Sequence, residues 1–256
     1  LWINGHDLYV EEHGPQNGSP VILLHHGLGS TGAWKAQFEA LSQAGWRAIA
    51  YDRWGYGRSA PRQQFAFPYL EEDIEDLEAL LDVLNIKRAA LVGHSDGGTI
   101  ALYFAACRPQ RVTCLATVAA HIYVEDTMEA GIQGLRQAYE NDAGFRRALE
   151  KVHGDKASTV FYAWFNGWHR QENLNWDMRL ALQQITCPVL VVQGVEDEHA
   201  SPQHARHLAA GIPVDAQHAG AQLWLVEGGR HMLPQEQPQV FNARLLEFLE
   251  ENHHVQ

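Results

Sequence analysis

The alternation of short apolar runs with helical segments constrains the fold more than any other feature of this sequence. Six runs have the composition of strands: VILLHH, RAIAYD, AALVGH, VTCLATVAA, PVLVVQG and QLWLVEG. In the clearest helical segment, Ile74, Leu77, Leu80, Leu81 and Leu84 recur at helical spacing, with acidic residues on the opposite face. Apolar strands separated by helices favour a parallel sheet covered on both faces. The sequence therefore predicts an α/β protein.

One long stretch interrupts the alternation. Between residues 121 and 185 no run has strand character, and the helical segments there carry four aromatic residues: Trp164, Phe165, Trp168 and Trp176. We interpret residues 121–185 as a helical cap inserted into a core made of residues 1–120 and 186–256. Most of these aromatic side chains are expected to form the core of the cap itself. One or two are expected to line a pocket, with Trp164 and Trp168 as substrate-binding candidates.

The charge balance excludes some classes of partner. Asp and Glu number 31 against 19 Lys and Arg, which gives a formal net charge of −12. Phosphate backbones attract basic surfaces, so no nucleic-acid partner is predicted. No apolar run approaches the roughly 20 residues that span a bilayer, and no basic-then-apolar leader opens the chain, so no membrane partner is predicted either. Because the chain starts at Leu1 rather than Met, a removed leader stays an open alternative.

The three cysteines, Cys107, Cys114 and Cys187, are odd in number and lack metal-ligand spacing. They are interpreted as structural free thiols, which fits a reducing cytoplasm. A cytoplasmic location is therefore expected, and the oligomeric state is left unassigned.

A glycine-rich segment allows two interpretations. In HHGLGSTG, the residues Gly27, Gly29 and Gly32 form G-x-G-x-x-G after an apolar run, and Asp52 lies 20 positions beyond Gly32. This is the pattern of a dinucleotide-binding site. Two histidines stand directly before its first glycine, which that interpretation does not explain.

A second motif points to nucleophilic catalysis. Gly93-His94-Ser95-Asp96-Gly97 is G-x-S-x-G at a strand-to-helix junction. The turn is so sharp that the residues two before and two after the nucleophile must be small, and Gly93 and Gly97 meet this condition for Ser95. If Asp96 were the nucleophile, His94 would occupy one of these positions and would be too large. Ser95 is therefore the candidate nucleophile, and His94 is expected to have a structural or pocket-wall role.

A serine hydroxyl needs a base, and the base needs an orienting carboxylate. Asp197 follows the strand-like run VLVVQG, with Glu196 and Glu198 beside it as alternatives, and His231 follows the last strand-like run. Three other histidines, His199, His204 and His207, are expected on a solvated loop and helix face. The pair His204 and His207 has metal-ligand spacing but no third ligand, so no metal site is predicted.

Together these segments resemble the α/β-hydrolase superfamily over nearly the whole chain. The matching segments are His26-Gly27, D-x-x-G-x-G-x-S from Asp52 to Ser59, the turn at Ser95, the acid Asp197, and G-x-H-x-x-x-x-E-x-P from Gly229 to Pro238. The resemblance implies the α/β-hydrolase fold, a mostly parallel eight-stranded sheet flanked by helices with an inserted helical cap. It also implies Ser95, Asp197 and His231 as nucleophile, acid and base, without a cofactor.

In this superfamily the residue after the H-G pair and the residue after the nucleophile donate backbone N–H groups to the oxyanion. The resemblance therefore assigns the oxyanion hole to Leu28 and Asp96. The glycines then serve to bend this loop over the nucleophile, and the dinucleotide interpretation is set aside. Asp52, with Arg53 and Ser59, is expected to order a loop.

The substrate side of the site rests on Asp96. The segment G-x-S-D-G-G and the following A-H-I-Y-V-E-D resemble valacyclovir hydrolase and related biphenyl hydrolase-like proteins, as well as bacterial esterases. In that family the aspartate beside the serine binds the α-amino group of amino-acid esters, which makes Asp96 a candidate ammonium binder. A bracing role for Asp96 stays open. Trp34 and His121 are further candidates for the pocket wall.

The predicted function is that of a serine hydrolase that cleaves a small carboxylic ester through an acyl-enzyme, with an amino-acid ester as one option. A C–C bond hydrolase of ring-cleavage diketones is an alternative that uses the same triad. Its substrates carry carboxylates, which Asp96 would repel, so Asp96 argues against this function. A lactonase or thioesterase also fits. A ligand receptor built on the hydrolase fold is an alternative from a different class.

Overall fold

The computed structural model describes residues 1–63, 65, 70–126, 128–169, 174–215 and 219–253, and its central feature is one sheet. The strands are β1 (Trp2–Ile3), β2 (His6–Asp7), β3 (Val10–His13), β4 (Pro20–Leu24), β5 (Arg47–Tyr51), β6 (Ala89–His94), β7 (Val112–Val118), β8 (Val189–Gly194) and β9 (Ala221–Val226). In the described residues, seven of them form the sheet in the order β3-β5-β4-β6-β7-β8-β9. All neighbours pair in parallel except β3, which runs antiparallel to β5.

The predicted α/β-hydrolase architecture is confirmed, but the predicted count of eight sheet strands is wrong. The strands β1 and β2 have two residues each and pair with each other as a separate hairpin. Asn4 and Gly5 both have positive φ at its turn, as the Asn-Gly pair predicts. A hairpin this short has too few ladder positions to extend the larger sheet.

The helices are α1 (Lys35–Gln43), α2 (Leu70–Val83), α3 (Asp96–Cys107), α4 (Met128–Asn141), α5 (Ala143–His153), α6 (Ala157–His169), α7 (Pro202–Gly211), α8 (Leu233–Glu236) and α9 (Pro238–Glu251). They cover the sheet on both faces. Along β4, Ile22 and Leu24 belong to a core cluster that includes Leu102 of α3, while Val21 and Leu23 belong to a second cluster with helices α1 and α9. This alternation is the two-residue period of a strand buried on both faces.

Three helices, α4, α5 and α6, lie between β7 and β8 in the chain, and we call residues 128–169 the helical insert. The insert has a core of its own, which includes Tyr139 stacked on Phe161 with ring centroids 4.0 Å apart. Among the helices in the described ranges, none combines the length and the apolar character that crossing a membrane requires.

The cysteine thiols carry no disulfide. Cys114 and Cys187 are buried and Cys107 is exposed. Burial raises the pKa of the Cys114 and Cys187 thiols to about 12, so both stay protonated at neutral pH and are poor nucleophiles.

Candidate active site

A cavity of about 280 Å³ lies between the carboxyl edge of the sheet and the helical insert. It is lined by His26, Gly27, Leu28, Ser95, Asp96, His121, Met128, Ile132, Leu135, Phe145, Leu149, Trp164, Trp168, Glu198, His199, His231 and Met232. In the sheet, β4 lies between β5 and β6. The chain after β4 turns toward β5, whereas the chain after β6 continues toward β7, so the loops that follow β4 and β6 diverge at this point. Open α/β sheets bind their ligands at such a switch point.

Ser95 occupies a strained turn between β6 and α3. Its backbone has φ 54° and ψ −120°, a conformation that residues other than glycine rarely adopt. The turn leaves no space beside it: a Cβ on Gly93 would lie 2.3 Å from the Gly97 carbonyl oxygen, and one on Gly97 would lie 2.2 Å from that of Leu24. Only glycine therefore fits at positions 93 and 97, as the motif predicts. The strain holds the Ser95 side chain at the cavity wall.

His231 and Asp197 are hydrogen-bonded to each other at the carboxyl edge of the sheet. The Nδ1 atom of His231 lies 3.0 Å from each carboxylate oxygen of Asp197. The strands β8 and β9 are parallel neighbours, so the loops that follow them meet, and the Glu196 N–H donates to the Gly229 carbonyl across 2.9 Å. In the neutral ring, the Nδ1–H of His231 donates a hydrogen bond to Asp197. The other ring nitrogen, Nε2, then carries no proton and can accept one.

The Asp197 carboxylate is fixed by several donors. Besides His231, it accepts hydrogen bonds from the Gln193 amide at 2.7 Å and the His199 backbone N–H at 2.8 Å. Burial alone would raise the pKa of Asp197, but the hydrogen bonds from His231 and His199 outweigh it and lower the pKa to about 2. Asp197 is therefore ionised throughout the neutral range and holds one tautomer of His231. Glu198 instead accepts from the His231 backbone N–H, at 3.2 Å.

The predicted oxyanion residues lie beside Ser95. Leu28 and Asp96 both line the cavity, and Asp96 is the first residue of α3, where backbone N–H groups have no partner within the helix. The positive end of the helix dipole also faces a developing negative charge at this point. The arrangement can bind an oxyanion formed at a carbonyl attacked by Ser95.

A residue of the insert holds the loop that contains Leu28. His153, at the end of α5, accepts a hydrogen bond from the Gly57 N–H at Nδ1, 2.9 Å away, and its Nε2 donates to the Leu28 carbonyl across 3.1 Å. His153 is a site residue that was not predicted from the sequence. Its only sequence signal is a histidine at a helix end, which by itself does not indicate which loops it joins.

Asp52 orders the neighbouring loop, as expected. Its carboxylate accepts from the backbone N–H groups of Thr31, at 2.6 Å, and Arg58, at 2.7 Å, and its carbonyl accepts from the Ser59 hydroxyl at 2.5 Å. Asp52 is fully buried, with both carboxylate oxygens engaged inside the protein. It thus differs from the ribose-binding acid of a dinucleotide site.

Asp96 is part of a buried charge group behind the cavity. The Arg53 guanidinium lies 3.7 Å from a carboxylate oxygen of Asp96 and 3.7 Å from one of Asp73, and all three side chains are almost fully buried. Burial raises the pKa of Asp73 to about 6, although Arg53 acts in the opposite direction. Two carboxylates thus share one guanidinium beside the nucleophile.

Three expectations about individual side chains are wrong, those for Trp34, His204 and His199. Trp34 does not line the cavity: it is fully buried in the core cluster with Val21 and Phe38, because it packs toward the α1 side of the sheet. His204 is not on a solvated face: it is fully buried, with Nδ1 2.5 Å from Glu125 and Nε2 accepting from the Ile122 N–H at 2.7 Å. The segment that contains Ile122 and Glu125 covers His204, and helical periodicity in the sequence does not reveal this contact.

The remaining candidates lie near their expected positions. Trp164, Trp168 and His121 all line the cavity. His199 lines it too, although it was expected on a solvated loop, because its ring packs against that of His231 with centroids 4.5 Å apart. His94 is fully buried, and its Nε2 donates to the His231 carbonyl across 2.8 Å, which is a structural role. In the part of the chain that the structure describes, no group of three or more His, Cys, Asp or Glu side chains is arranged to hold a metal ion.

Comparison with known proteins places this geometry in context. A family model described as alpha/beta hydrolase fold matches residues 20–160. Serine hydrolase BPHL of Homo sapiens is 28% identical over 254 residues, which covers 97% of this chain and 84% of that protein. Non-heme chloroperoxidase of Streptomyces lividans is 28% identical over 282 residues, covering 96% and 97% of the two chains. The crystal structure of the enol-lactonase from Burkholderia xenovorans LB400 has a TM-score of 0.77 and 23% identity, covering 98% and 99%, and supports the fold alone.

Proposed function

The chain belongs to the α/β-hydrolase family, and from that premise we propose that it is a serine hydrolase that cleaves small carboxylic esters through an acyl-enzyme. The observation that carries the proposal is the His231–Asp197 pair, with Nδ1 3.0 Å from both carboxylate oxygens, in one cavity with the strained Ser95. Fold alone would support many activities, whereas this set of side chains supports nucleophilic acyl transfer.

In the proposed reaction, the Ser95 hydroxyl oxygen attacks the ester carbonyl carbon while His231 Nε2 takes the hydroxyl proton. The backbone N–H groups of Leu28 and Asp96 bind the oxyanion of the tetrahedral intermediate. Its collapse breaks the bond to the alcohol, which leaves with the proton from His231. A water molecule then attacks the acyl-enzyme with His231 as the base, and the acid is released.

The cavity limits the size and polarity of the substrate. Its volume of about 280 Å³ is small for a ligand site, and the insert lines it with apolar side chains such as Met128, Ile132 and Leu149. Burial of apolar groups against these side chains supplies binding energy without placing charge near Ser95. We therefore propose a small ester with apolar substituents as the substrate class.

An amino-acid ester is the more specific candidate, and the charge group at Asp96 favours it. Asp96 and Asp73 each have a carboxylate oxygen 3.7 Å from the Arg53 guanidinium, and the neighbouring Arg62 contacts Glu72 and also acts to lower the pKa of Asp73. When Asp73 is ionised, Asp96, Asp73 and Arg53 together carry one net negative charge. Since the pKa of Asp73 is about 6, an ammonium group at the cavity wall would be attracted at neutral pH and more weakly below it.

The first experiment would measure kcat/KM for the phenyl esters of alanine and isobutyric acid, which differ by an ammonium in place of a methyl group. We expect hydrolysis by the wild type and none by Ser95→Ala, with Ser158→Ala, an exposed serine of the insert, as control. A fluorophosphonate should label the wild type and Ser158→Ala alone. Activity that survives in Ser95→Ala would contradict the serine-hydrolase proposal.

The same pair of esters tests the role of Asp96. We expect the wild type to prefer the alanine ester, and Asp96→Asn to lose about tenfold on that ester while retaining its rate on the isobutyrate ester. Asp155→Asn, at an exposed position of the insert, is the matched control. An equal loss on both esters would assign Asp96 to bracing the turn instead.

Two alternatives have distinct outcomes. A C–C bond hydrolase would cleave ring-cleavage diketones faster than either phenyl ester, and Asp96→Asn would then speed the reaction by removing a charge that repels the substrate carboxylate. A ligand receptor would be labelled at Ser95 by the fluorophosphonate but would show a single burst of product without steady turnover.

A further inference from the structure

His121 stands where the chain leaves β7 for the helical insert, and its backbone is held rigidly. The Thr99 hydroxyl on α3 donates to the His121 carbonyl across 2.7 Å, and the His121 N–H donates back to that hydroxyl across 3.2 Å. Two residues earlier, Ala119 has a φ of 51°, in the left-handed region that residues with a Cβ rarely enter. Such strain persists where the surrounding structure enforces it, often at a functional site.

The ring of His121 is as firmly placed as its backbone. It lies against the Trp168 indole with ring centroids 5.4 Å apart and against the His204 ring at 5.7 Å. The His231 ring is 6.1 Å away, and His121 itself lines the cavity. The side chain thus has a fixed position next to the proposed base, on the wall that the insert completes.

Among the residues that the structure describes, the two ring nitrogens of His121 have no hydrogen-bond partner. Both Nδ1 and Nε2 are buried, and within the described residues neither makes a hydrogen bond. His204, the nearest histidine, cannot serve, because its two nitrogens already face Glu125 and the Ile122 N–H. Buried polar groups are nearly always hydrogen-bonded in native proteins, so a side chain that is 4% exposed and unpaired at both nitrogens requires an explanation.

The charge state of His121 limits which chemical groups of a substrate could form hydrogen bonds with its ring. Burial, together with the neighbouring His204 and His231, lowers the pKa of His121 to about 3. The ring is therefore neutral at pH 7 and offers one N–H donor and one bare acceptor nitrogen. A hydroxyl group can pair with either nitrogen in either tautomer, whereas a carbonyl only accepts and an ammonium only donates.

We propose that His121 is a polar subsite of the cavity that binds a hydroxyl group of the substrate, so that hydroxy-substituted esters are preferred over esters of the same shape without the hydroxyl. This inference rests on the proposed ester hydrolysis and adds the substrate class to it. A carboxylate would be disfavoured at the same place, because Asp96 and Glu198 also line the cavity. The insert contributes apolar side chains to the cavity, including Met128 and Trp168, and Trp168 packs directly against His121. His121 is therefore a polar group at the border of the apolar part of the cavity.

The kinetic test uses pairs of esters in which a hydroxyl replaces a methyl group. Phenyl lactate and phenyl isobutyrate vary the acyl half, and hydroxyethyl butyrate and propyl butyrate vary the alcohol half. For wild type and His121→Phe, kcat/KM is measured by titration of the released acid. The ratio within each pair for His121→Phe supplies the intrinsic reactivity difference. We expect the wild-type ratio to exceed it about tenfold in at least one pair.

Two further variants separate a subsite from a general effect. His121→Asn keeps one donor and one acceptor and should retain part of the preference. Met128→Leu changes an apolar wall residue of the same cavity and should change both members of a pair equally. A preference that is lost in Met128→Leu as well as in His121→Phe would overturn the assignment to His121.

The thermal unfolding midpoint without substrate gives an independent measurement. Replacing an unpaired buried imidazole by a phenyl ring of similar shape should raise the midpoint, because no hydrogen bond is lost and a desolvation cost is removed. A lower midpoint in His121→Phe, with kcat/KM reduced equally for all four esters, would assign His121 a structural role and overturn the proposal. Equal wild-type and His121→Phe ratios in both pairs would also overturn it.

Failure of the underlying activity looks different. If wild type cleaves none of the four esters and Ser95 is not labelled by a fluorophosphonate, the proposed hydrolysis itself is wrong, and the hydroxyl subsite falls with it. If all four esters are cleaved without discrimination, ester hydrolysis stands and the hydroxyl subsite alone is rejected.

Discussion

The two walls of the cavity are built on different physical principles. At the carboxyl edge of the sheet, polar atoms are fixed by many hydrogen bonds: Asp197 alone accepts from His231, Gln193, His199 and Ala200. The opposite wall, formed by the helical insert, presents apolar side chains such as Met128 and Leu149, which belong to the insert's own core. The proposed chemistry therefore lies on the strand ends, and the shape of the substrate space lies with the insert.

This division explains why the two walls should respond differently to substitution. Hydrogen bonds have narrow distance and angle requirements, so a small displacement at the sheet edge costs much of the rate. Apolar packing is less directional and tolerates replacement by side chains of similar volume. Among the contacts that join the two walls, His153 binds the Leu28 carbonyl, Lys156 donates to the Tyr56 and Ser59 carbonyls, and Gly131 packs on the loop that carries Asp197.

The largest effect is expected from Asp197→Asn, which breaks the sheet-edge wall without changing its shape. An amide at this position no longer enforces the tautomer in which His231 Nε2 accepts the serine proton. We expect kcat to fall roughly a thousand- to ten-thousandfold, as assayed on phenyl isobutyrate. Glu196→Gln, at the exposed neighbouring acid, is the control and should leave kcat near the wild-type value. Comparable losses in both variants would mean that the acid has been misassigned.

A smaller but still large effect is expected from His153→Phe, which removes one of the hydrogen-bonded links between the two walls. The Gly57 N–H loses its acceptor and the Leu28 carbonyl loses its donor, so the oxyanion loop can shift. We expect kcat to fall roughly ten- to a hundredfold, with a smaller change in KM. The free energy of unfolding should fall by about 1–3 kcal/mol.

Lys151→Ala, at an exposed position of the same helix, is the control for His153→Phe. A loss of stability without a loss of kcat would show that His153 braces the insert but does not position the loop. Chemical denaturation and steady-state kinetics on the same preparations would separate the two outcomes.

Acid should destabilise the protein, because the sheet edge holds several histidines in the neutral form. Burial lowers the pKa of His94 and His121 to about 3 and that of His199 to about 4, against about 6.5 in an unfolded chain. The unfolded state therefore binds more protons as the pH falls below about 6.5, and stability is lost progressively down to the folded-state pKa. Each such histidine contributes a slope of about 1.4 kcal/mol per pH unit within that window.

Denaturant titrations between about pH 6 and pH 4 would measure this slope. In His121→Phe the slope should be smaller by about 1.4 kcal/mol per pH unit, because one proton-binding site of the unfolded state is gone. An unchanged slope would mean that His121 is already protonated in the folded protein at these pH values.

The smallest effect is expected from Gly131→Ala in α4. A Cβ there would lie 2.5 Å from His199 Nδ1 and 2.7 Å from the Glu198 carbonyl oxygen, so the insert must move away from the acid loop. We expect KM to rise severalfold for esters with apolar acyl groups. Gly134→Ala, in the same helix, would meet nothing within 4 Å and should stabilise the helix without changing KM. Equal KM values for the two variants would argue against a tight insert contact.

Much of this site could be predicted because it depends on local sequence. The turn at Ser95 requires glycine two residues before and two after it, and this requirement is visible within five consecutive residues. The proposed acid and base could be brought together because Asp197 and His231 follow the ends of β8 and β9 within a few residues, and parallel strands bring their carboxyl ends to one edge. Asp52 could be predicted as a loop-ordering residue from its motif alone.

Side-chain direction could not be predicted in the same way. Trp34 follows the glycine-rich loop closely in sequence, yet it points into the core and not into the cavity. His204 has the spacing of a solvated helix position, but the neighbouring Glu125 segment covers it. The eighth sheet strand was expected from the family resemblance, whereas the short β1–β2 hairpin pairs with itself.

The sequence by itself thus determined the α/β class and the sharp turn at Ser95, because backbone sterics and hydrophobic period act over a few neighbouring residues. The resemblance to the α/β-hydrolase superfamily added the proposed order of nucleophile, acid and base. Only the tertiary structure decided that Arg53 lies between Asp73 and Asp96 and that His153 joins the insert to the Leu28 loop. It also decided that His121 is buried without a hydrogen-bond partner for either ring nitrogen among the described residues. These contacts join residues up to 125 positions apart in the chain. Their geometry depends on how whole elements pack, which no local pattern encodes.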